Sequence, residues 1–225
     1  MQGAARAQAP DWTTVGADFL GRRLSYEAGR LTEEDCGSDP MAFLRLWIDE
    51  ASEAGLIEPT ACALATAGKD GRPSNRIVLL RKLDDGLVFY SNYESRKGQE
   101  LATNPLAAMT FFWPQLQRQA RIEGTVAKVS AAESDEYFAG RPYGSQLAAA
   151  ASPQSQKIRD RAALTARAEE LAAVYPDQVP RPSHWGGFRL TPETIEFWQG
   201  RPGRLHDRIL FERGPEGWAR ARLAP

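Results

Sequence analysis

The 225-residue sequence predicts a mainly β protein with peripheral helices, an α+β chain whose strands close into an antiparallel barrel. Three observations carry that expectation. Short apolar runs recur along the chain, Gly, Asp, Asn or Pro punctuates them, and only four stretches hold helical spacing.

Residues 1 to about 18 are small and polar, with Trp12 as the single large apolar anchor, and read as a flexible arm; residues 1–21 are assigned to it and 22–225 to one domain. Asp39-Pro40 opens the first helix, where Phe43, Leu44, Trp47, Ile48 and Ala51 follow helical spacing up to Gly55. The period then changes. Ala61–Thr66, a turn at Lys69–Arg72, Ser74–Lys82, a turn at Asp84–Gly86 and Leu87–Ser91 read as a three-stranded meander. Ser95–Asn104 is a short helix, and Ala107–Trp113 and Gln119–Val129 form a hairpin across Pro114.

Ser130 and Glu133 have capping-box spacing and start a helix to about Gly140. Ser152 is read as the cap of a longer alanine-rich helix to about Val174. After the proline-rich connector Pro176–Ser183, strands are expected near Trp185–Leu190, Thr194–Gln199 and Arg204–Arg213, with a fourth near Trp218.

Composition narrows the function. Hydrophobic residues at 42% and charged residues at 25% suit a globular chain long enough to bury a core. A net charge of −1 gives no global field for a polyanion, so a local basic pocket for a small anion is favoured over nucleic acid. Cys36 and Cys62 have neither the number nor the spacing of a disulfide framework or a zinc site. No signal-peptide pattern or membrane span is legible, and a cytoplasmic protein is expected.

Several constellations could carry chemistry, each against a plainer reading. Arg204, His206 and Arg208 alternate beside Trp198 and suit a flat anionic ligand, or else form a solvated β-edge. Arg76 and Arg81 end an apolar strand five positions apart, on opposite faces if the strand is unbroken. Ser95-Arg96-Lys97 at a helix start offers a hydroxyl, two cations and free N–H groups to a phosphate, or is an ordinary helix start. Tyr137 with Arg141-Pro-Tyr-Gly-Ser145 is a second phosphate cradle or a plain turn. Gln154-Ser155 could meet a heterocycle edge or cap a helix, and Asp207 faces away as an ion-pair partner. No nucleophilic triad and no metal-ligand set is readable, so hard chemistry would need an organic cofactor.

In one order along the chain, Arg76-Ile-Val-Leu-Leu-Arg81, Tyr90-Ser91, Ser95-Arg96-Lys97, Gln119, Tyr137, Arg141–Ser145, Gln154-Ser155, Glu196–Gly200 and Arg204–Arg208 closely resemble the pyridoxamine/pyridoxine 5′-phosphate oxidase family. The resemblance covers about residues 22 to 225. It implies a homodimeric FMN-binding split β-barrel with flavin sites at the subunit interface. FMN would be held by Arg76, Ile77, Val78, Leu79, Leu80, Arg81, Tyr90, Ser91, Arg96, Lys97, Gln119, Gln154, Ser155, Trp198 and Arg208. Arg81, Tyr137, Arg141 and Ser145 would hold the substrate phosphate, Arg204 and His206 would stand over the pyridine ring as catalytic residues, and Arg23 to Tyr26 would close as a lid. The implied reaction converts pyridoxamine or pyridoxine 5′-phosphate to pyridoxal 5′-phosphate, with dioxygen as acceptor and hydrogen peroxide released.

Two departures from the family pattern bear on the site. Arg81 replaces a usual lysine, and Ala148 and Ala150 replace a usual Gly and Trp, removing a large ring near the flavin run. A related oxidase of a phenazine-like pathway, and a non-catalytic flavin or pyridoxal phosphate carrier, are the competing readings. The phosphate cradle speaks against the first.

Overall fold

A computed structural model describes residues 25–225. The arm expected over residues 1–21, and Arg23 of the expected lid, lie outside the described residues.

A short helix α1 (Glu33–Cys36) precedes α2 (Pro40–Glu53), whose Asp39 cap accepts from the N–H groups of Met41 and Ala42. Phe43, Leu44, Trp47 and Ala51 are buried, as their spacing predicts. Phe43 and Trp47 meet Phe197 edge-on at 4.8 and 5.1 Å, which packs this face of α2 on the barrel core.

The strands are β1 (Ala61–Ala67), β2 (Pro73–Leu79), β3 (Lys82–Leu83), β4 (Leu87–Asn92), β5 (Leu106–Trp113), β6 (Arg118–Lys128), β7 (Trp185–Gln199), β8 (Asp207–Gly214) and β9 (Gly217–Arg222). They form one antiparallel sheet in the order β2-β1-β5-β6-β7-β4-β3, with β8 and β9 continuing from β7. Cys62, Leu64, Met109, Phe111, Ile122, Ile195 and Phe197 alternate inward to form the core.

Although β2 and β3 are consecutive in the chain, they stand at opposite ends of that order. Leu80 N donates to Thr60 O at 2.9 Å, whereas Arg81 N donates to Val88 O at 2.8 Å. The chain changes partners between these two residues and closes the sheet on itself. The expected meander is therefore corrected to two hairpins, β1–β2 and β3–β4, meeting at this seam.

Three further expectations are corrected. Instead of separate strands at 185–190 and 194–199, β7 runs 15 residues with a bulge, where Glu123 pairs with Thr194 and Gly124 with Pro192. Proline has no N–H for the ladder and sits at that irregularity. A Cβ on Gly124 would lie 2.1 Å from Thr191 O, so only glycine fits opposite it.

The remaining helices are α3 (Arg96–Thr103), α4 (Ala131–Ala139), α5 (Tyr143–Ala151) and α6 (Arg161–Val174). Ser152 closes α5 rather than opening a long helix, because Pro153 forces the residue before it into extended backbone. The cap of α6 is Asp160, which accepts from Ala163 N at 2.7 Å. Arg204 does not belong to β8; it ends a 3₁₀ turn, Pro202–Arg204, with φ 63.

Candidate active site

A cavity of about 1140 Å³ opens where the Leu80–Arg81 seam meets β4, the start of α3 and the α4–α5 junction. Its wall includes Arg76, Ile77, Val78, Leu79, Arg81, Tyr90, Ser91, Lys97, Tyr137, Arg141, Ser145 and Gln154, most of the predicted ligand residues. The seam resolves the problem of strand faces. With the strand broken at Leu80, Arg76 and Arg81 both reach the same cavity. Leu80 itself turns into the core, 5% exposed, so its side chain is not in the cavity wall.

Lys97 forms one pole of the cavity. Its ammonium donates to Gln154 Oε1 at 2.8 Å and Ser91 Oγ at 3.0 Å, and the residue is buried. Desolvation, then the nearby Arg76 cation, push its pKa down to about 8. The position depends on Gly98: a Cβ there would lie 2.1 Å from Tyr93 O, so α3 starts flush against the preceding turn. Ser95 is spent internally, since its hydroxyl accepts from Gly98 N at 3.3 Å and donates to Asn92 O at 2.7 Å.

Arg96 does not join Lys97 in the cavity wall. It turns along the helix to Glu100, donating from Nε to Oε1 at 2.8 Å. Glu100 Oε2 accepts from Thr66 Oγ1 at 2.5 Å and Ser74 Oγ at 2.6 Å, and lies 3.4 Å from Arg76 Nη2. Burial alone would raise this carboxyl, but the hydrogen bonds from Ser74, Thr66 and Arg96 outweigh it and bring the pKa to about 2. Glu100 thus anchors both arginines. Sequence reasoning missed it, though its place four residues after Arg96 was a usable signal.

The second pole comes from α4 and α5. Tyr137 stacks on Tyr90 with ring centroids 3.7 Å apart and planes 7° from parallel. The Arg141 guanidinium lies 4.6 Å over the Trp185 ring, and its Nη1 is buried without a hydrogen-bond partner among the described residues. Desolvation lowers its pKa from the usual arginine value. Ser145 sits in the first turn of α5, not in an isolated turn as the sequence suggested. An unpaired buried guanidinium lining a cavity is a costly arrangement that an anion would relieve. Glu133 and Glu136, unforeseen in the sequence, stand at the same wall, and Glu133 accepts from Lys82 at 3.2 Å.

The other predicted residues gather elsewhere. Gln119 pairs with Trp198 across β6–β7, and Trp198 with Arg208 across β7–β8, making a row on the outer face of the sheet. Arg208 forks onto Glu196 at 2.8 and 3.0 Å. His206 lies 4.7 Å from the Trp198 ring and 5.8 Å from the Tyr26 ring. Its Nδ1 accepts from Arg201 N at 3.0 Å, which places the proton of the neutral ring on Nε2. Arg204 is exposed in its turn, and Ser155 is exposed with φ 72 beyond the cavity wall. Between β2 and β6 stand β1 and β5, and none of Gln119, Trp198, His206 or Arg208 lines that cavity within the one chain.

Ala148, with Ala149 and Ala151, lines an adjoining cavity of about 560 Å³ that shares Tyr90, Ser91, Arg141 and Gln154 with the first. Ala150 packs instead against the cluster of Phe138, Val179 and Trp185.

A family model described as pyridoxamine 5′-phosphate oxidase matches residues 48–175, and one described as the pyridoxine 5′-phosphate oxidase C-terminal dimerisation region matches residues 185–225. A pyridoxine/pyridoxamine 5′-phosphate oxidase of Chromobacterium violaceum is 55% identical over 205 residues, covering 90% of this chain and 96% of the relative. One from Burkholderia multivorans is 53% identical over 207 residues, covering 90% and 97%. The solved structure of PhzG from Burkholderia lata 383, in complex with tetrahydrophenazine-1-carboxylic acid, superposes with a TM-score of 0.82 at 36% identity, covering 87% of this chain and 98% of that one. A pyridoxamine 5′-phosphate oxidase-related, FMN-binding protein from Nostoc punctiforme, at 20% identity and TM-score 0.67 over 83% and 98%, shares the fold.

Proposed function

This chain belongs to the pyridoxamine 5′-phosphate oxidase family, and from that premise we propose that it is an FMN-dependent oxidase converting pyridoxamine or pyridoxine 5′-phosphate to pyridoxal 5′-phosphate. The observation that carries the reading is one cavity with two cationic poles, Lys97 with Arg76 and Arg141 with Arg81, joined through Tyr90. Two poles suit two phosphates, one of the cofactor and one of the substrate. The buried, depressed Lys97 and the Arg141 Nη1, which has no hydrogen-bond partner among the described residues, are groups that a bound dianion would satisfy.

The active form in this reading is a homodimer. Support comes from the match to a dimerisation region and from the outer sheet face, where Ile77 and Phe112 are 66% and 55% exposed beside the alanines of β1. A second copy laid on that face would bring its Gln119, Trp198, His206 and Arg208 to the cavity wall formed by Ile77 and Leu79.

When bound, FMN would supply the two-electron acceptor for the hydride leaving C4′, with dioxygen as the final acceptor and hydrogen peroxide as its product. The chain's residues do the rest. Arg76 and Lys97 hold the cofactor phosphate; Tyr137, Arg141 and Ser145, with Arg81, hold the substrate phosphate and so fix C4′. Arg204 and the Nε2–H of His206 supply donors above the pyridine ring. For the amine, water enters and ammonia leaves; for the alcohol, the aldehyde forms directly.

A second reading, oxidation of a phenazine-like ring acid, draws on the Ala148-lined cavity beside the site and on the likeness to PhzG. The experiment is an anaerobic titration of the FMN-reconstituted protein with pyridoxamine 5′-phosphate, followed by air. Bleaching of the flavin band and its return with peroxide and pyridoxal 5′-phosphate is the expected result. A bound flavin that stays oxidised moves the assignment to the ring acid or to a carrier, and no bound flavin overturns it.

A further inference from the structure

The segment from residue 25 to 37 crosses the C-terminal strands, and two arginines of the last of them hold it: Arg220 donates to Glu33 O and to Gly37 O, and Arg222 makes three bonds of its own. Arg222 of β9 donates from Nε and Nη2 to the two carboxylate oxygens of Glu33, both at 2.8 Å, and from Nη2 to Leu31 O at 3.2 Å. Its Nη1 donates to Asp207 Oδ1 at 2.9 Å. Asp207 Oδ2 in turn accepts from Leu31 N at 3.1 Å and lies 3.4 Å from Arg201 Nε. Arg222 and Asp207 therefore grip both sides of the Leu31 backbone.

What this grip aligns is specific. Asp207 stands in the chain between His206 and Arg208 and faces the crossing segment. Five residues before Leu31, the Tyr26 ring lies 5.8 Å from both Trp198 and His206. It packs so closely on Gly200 that a Cβ there would lie 2.8 Å from its Cγ. Ala28 N and Gly29 O are tied as well, to Gln117 Oε1 at 2.9 Å and Arg201 Nη1 at 3.0 Å. The segment is thus clamped at several points between Tyr26 and the clasp.

We propose that Arg222, acting with Asp207, is a positioning residue that sets Tyr26 against His206 and Trp198 and so closes the substrate-ring side of the site. The substrate part rests on the function proposed above. Arg222 touches neither cavity, so its effect reaches the site only through the segment it holds. Lysine at this position would keep a charge but lose the fork that serves Glu33, Leu31 and Asp207 together.

The test compares wild type, Arg222→Lys and Arg222→Ala as FMN-loaded full-length proteins. We expect KM for pyridoxamine 5′-phosphate to rise roughly three- to tenfold in Arg222→Ala, as befits a half-exposed charge-assisted clasp, with Arg222→Lys between it and wild type. Turnover number and FMN affinity stay within about twofold. Hydrogen exchange at residues 25–32 accelerates in Arg222→Ala while the strands of the barrel keep their protection. An unchanged KM, an unchanged exchange rate at 25–32, or a loss of FMN affinity matching the KM change overturns the proposal. A wild type without turnover sinks the substrate assignment instead, and the exchange measurement still decides the clasp.

Discussion

The Lys97 ammonium rests 2.8 Å from Gln154 Oε1, joining the first turn of α3 to the loop between α5 and α6 at one pole of the cavity. Among the described residues its hydrogen-bond partners, Ser91, Ser95 and Gln154, are neutral; a charge so buried is held at a cost to the empty protein, and that cost is recoverable by an anion. Lys97→Met should therefore weaken FMN binding by about tenfold or more while leaving the cofactor-free protein as stable or more stable. Fluorescence titration of FMN and urea unfolding of the flavin-free form measure the two halves. A destabilised flavin-free variant with unchanged affinity would contradict both.

The same lysine sets a pH dependence. Its folded pKa, about 8, lies below the ordinary 10.5, so between those values the unfolded chain holds the extra proton and stability of the flavin-free protein rises with pH. Phosphate affinity runs the other way, falling as pH climbs through about 8 and the cation is lost. FMN dissociation constants measured from pH 7 to 10 should show this fall, and Lys97→Met should flatten it.

Neighbouring arginine and lysine are not equivalent in this helix. Arg96 points along α3 to Glu100 and stands apart from the main cavity, whereas Lys97 lines it. Arg96→Ala is expected to cost less FMN affinity than Lys97→Met, and equal losses in parallel titrations would show that Arg96 leaves Glu100 for the cofactor.

Gly98→Ala should destabilise the protein by about 2 to 4 kcal/mol, because the new methyl meets the backbone carbonyl of Tyr93 rather than a side chain that could move. Urea denaturation gives the difference directly. The variant should also lose FMN affinity, since α3 must shift and carry Lys97 with it.

Arg204→Ala combined with His206→Ala should lower turnover of pyridoxamine 5′-phosphate by at least about tenfold with flavin still bound. Neither side chain lines the one-chain cavity, so full turnover in this double variant would remove them from the reacting partnership.

Local chemistry was legible in the sequence wherever it decided the outcome. Asp39 and Ser130 cap the helices they were expected to cap, whereas Ser95, read as a hydroxyl for a phosphate, caps α3; the alternation in β1, β5 and β6 marks the core. Partner choice was not legible. Nothing in Arg76–Lys82 says that Leu80 bonds one strand and Arg81 another, and the bulge at Pro192 looks like a strand end until β6 is laid beside it. The same limit governs the site. Residue types pointed to Tyr137, Arg141 and Ser145, which line one cavity, but the outward turn of Arg96 depends on Glu100, and the absence of Gln119 from that cavity's wall depends on strand order.

The position of β7 also dictates when the barrel can form. Leu87, Val88 and Phe89 of β4 are fully buried, yet their partners Leu190, Arg189 and Phe188 emerge from the ribosome about a hundred residues later. At ordinary synthesis rates that is a wait of roughly five to twenty seconds with an apolar strand edge unpaired. Nascent chains shorter than β7 should therefore be sticky, and a chaperone or the remaining half of the chain must guard β4 until closure. Folding of this barrel is governed by its slowest and longest-range pairing, however quickly its hairpins form.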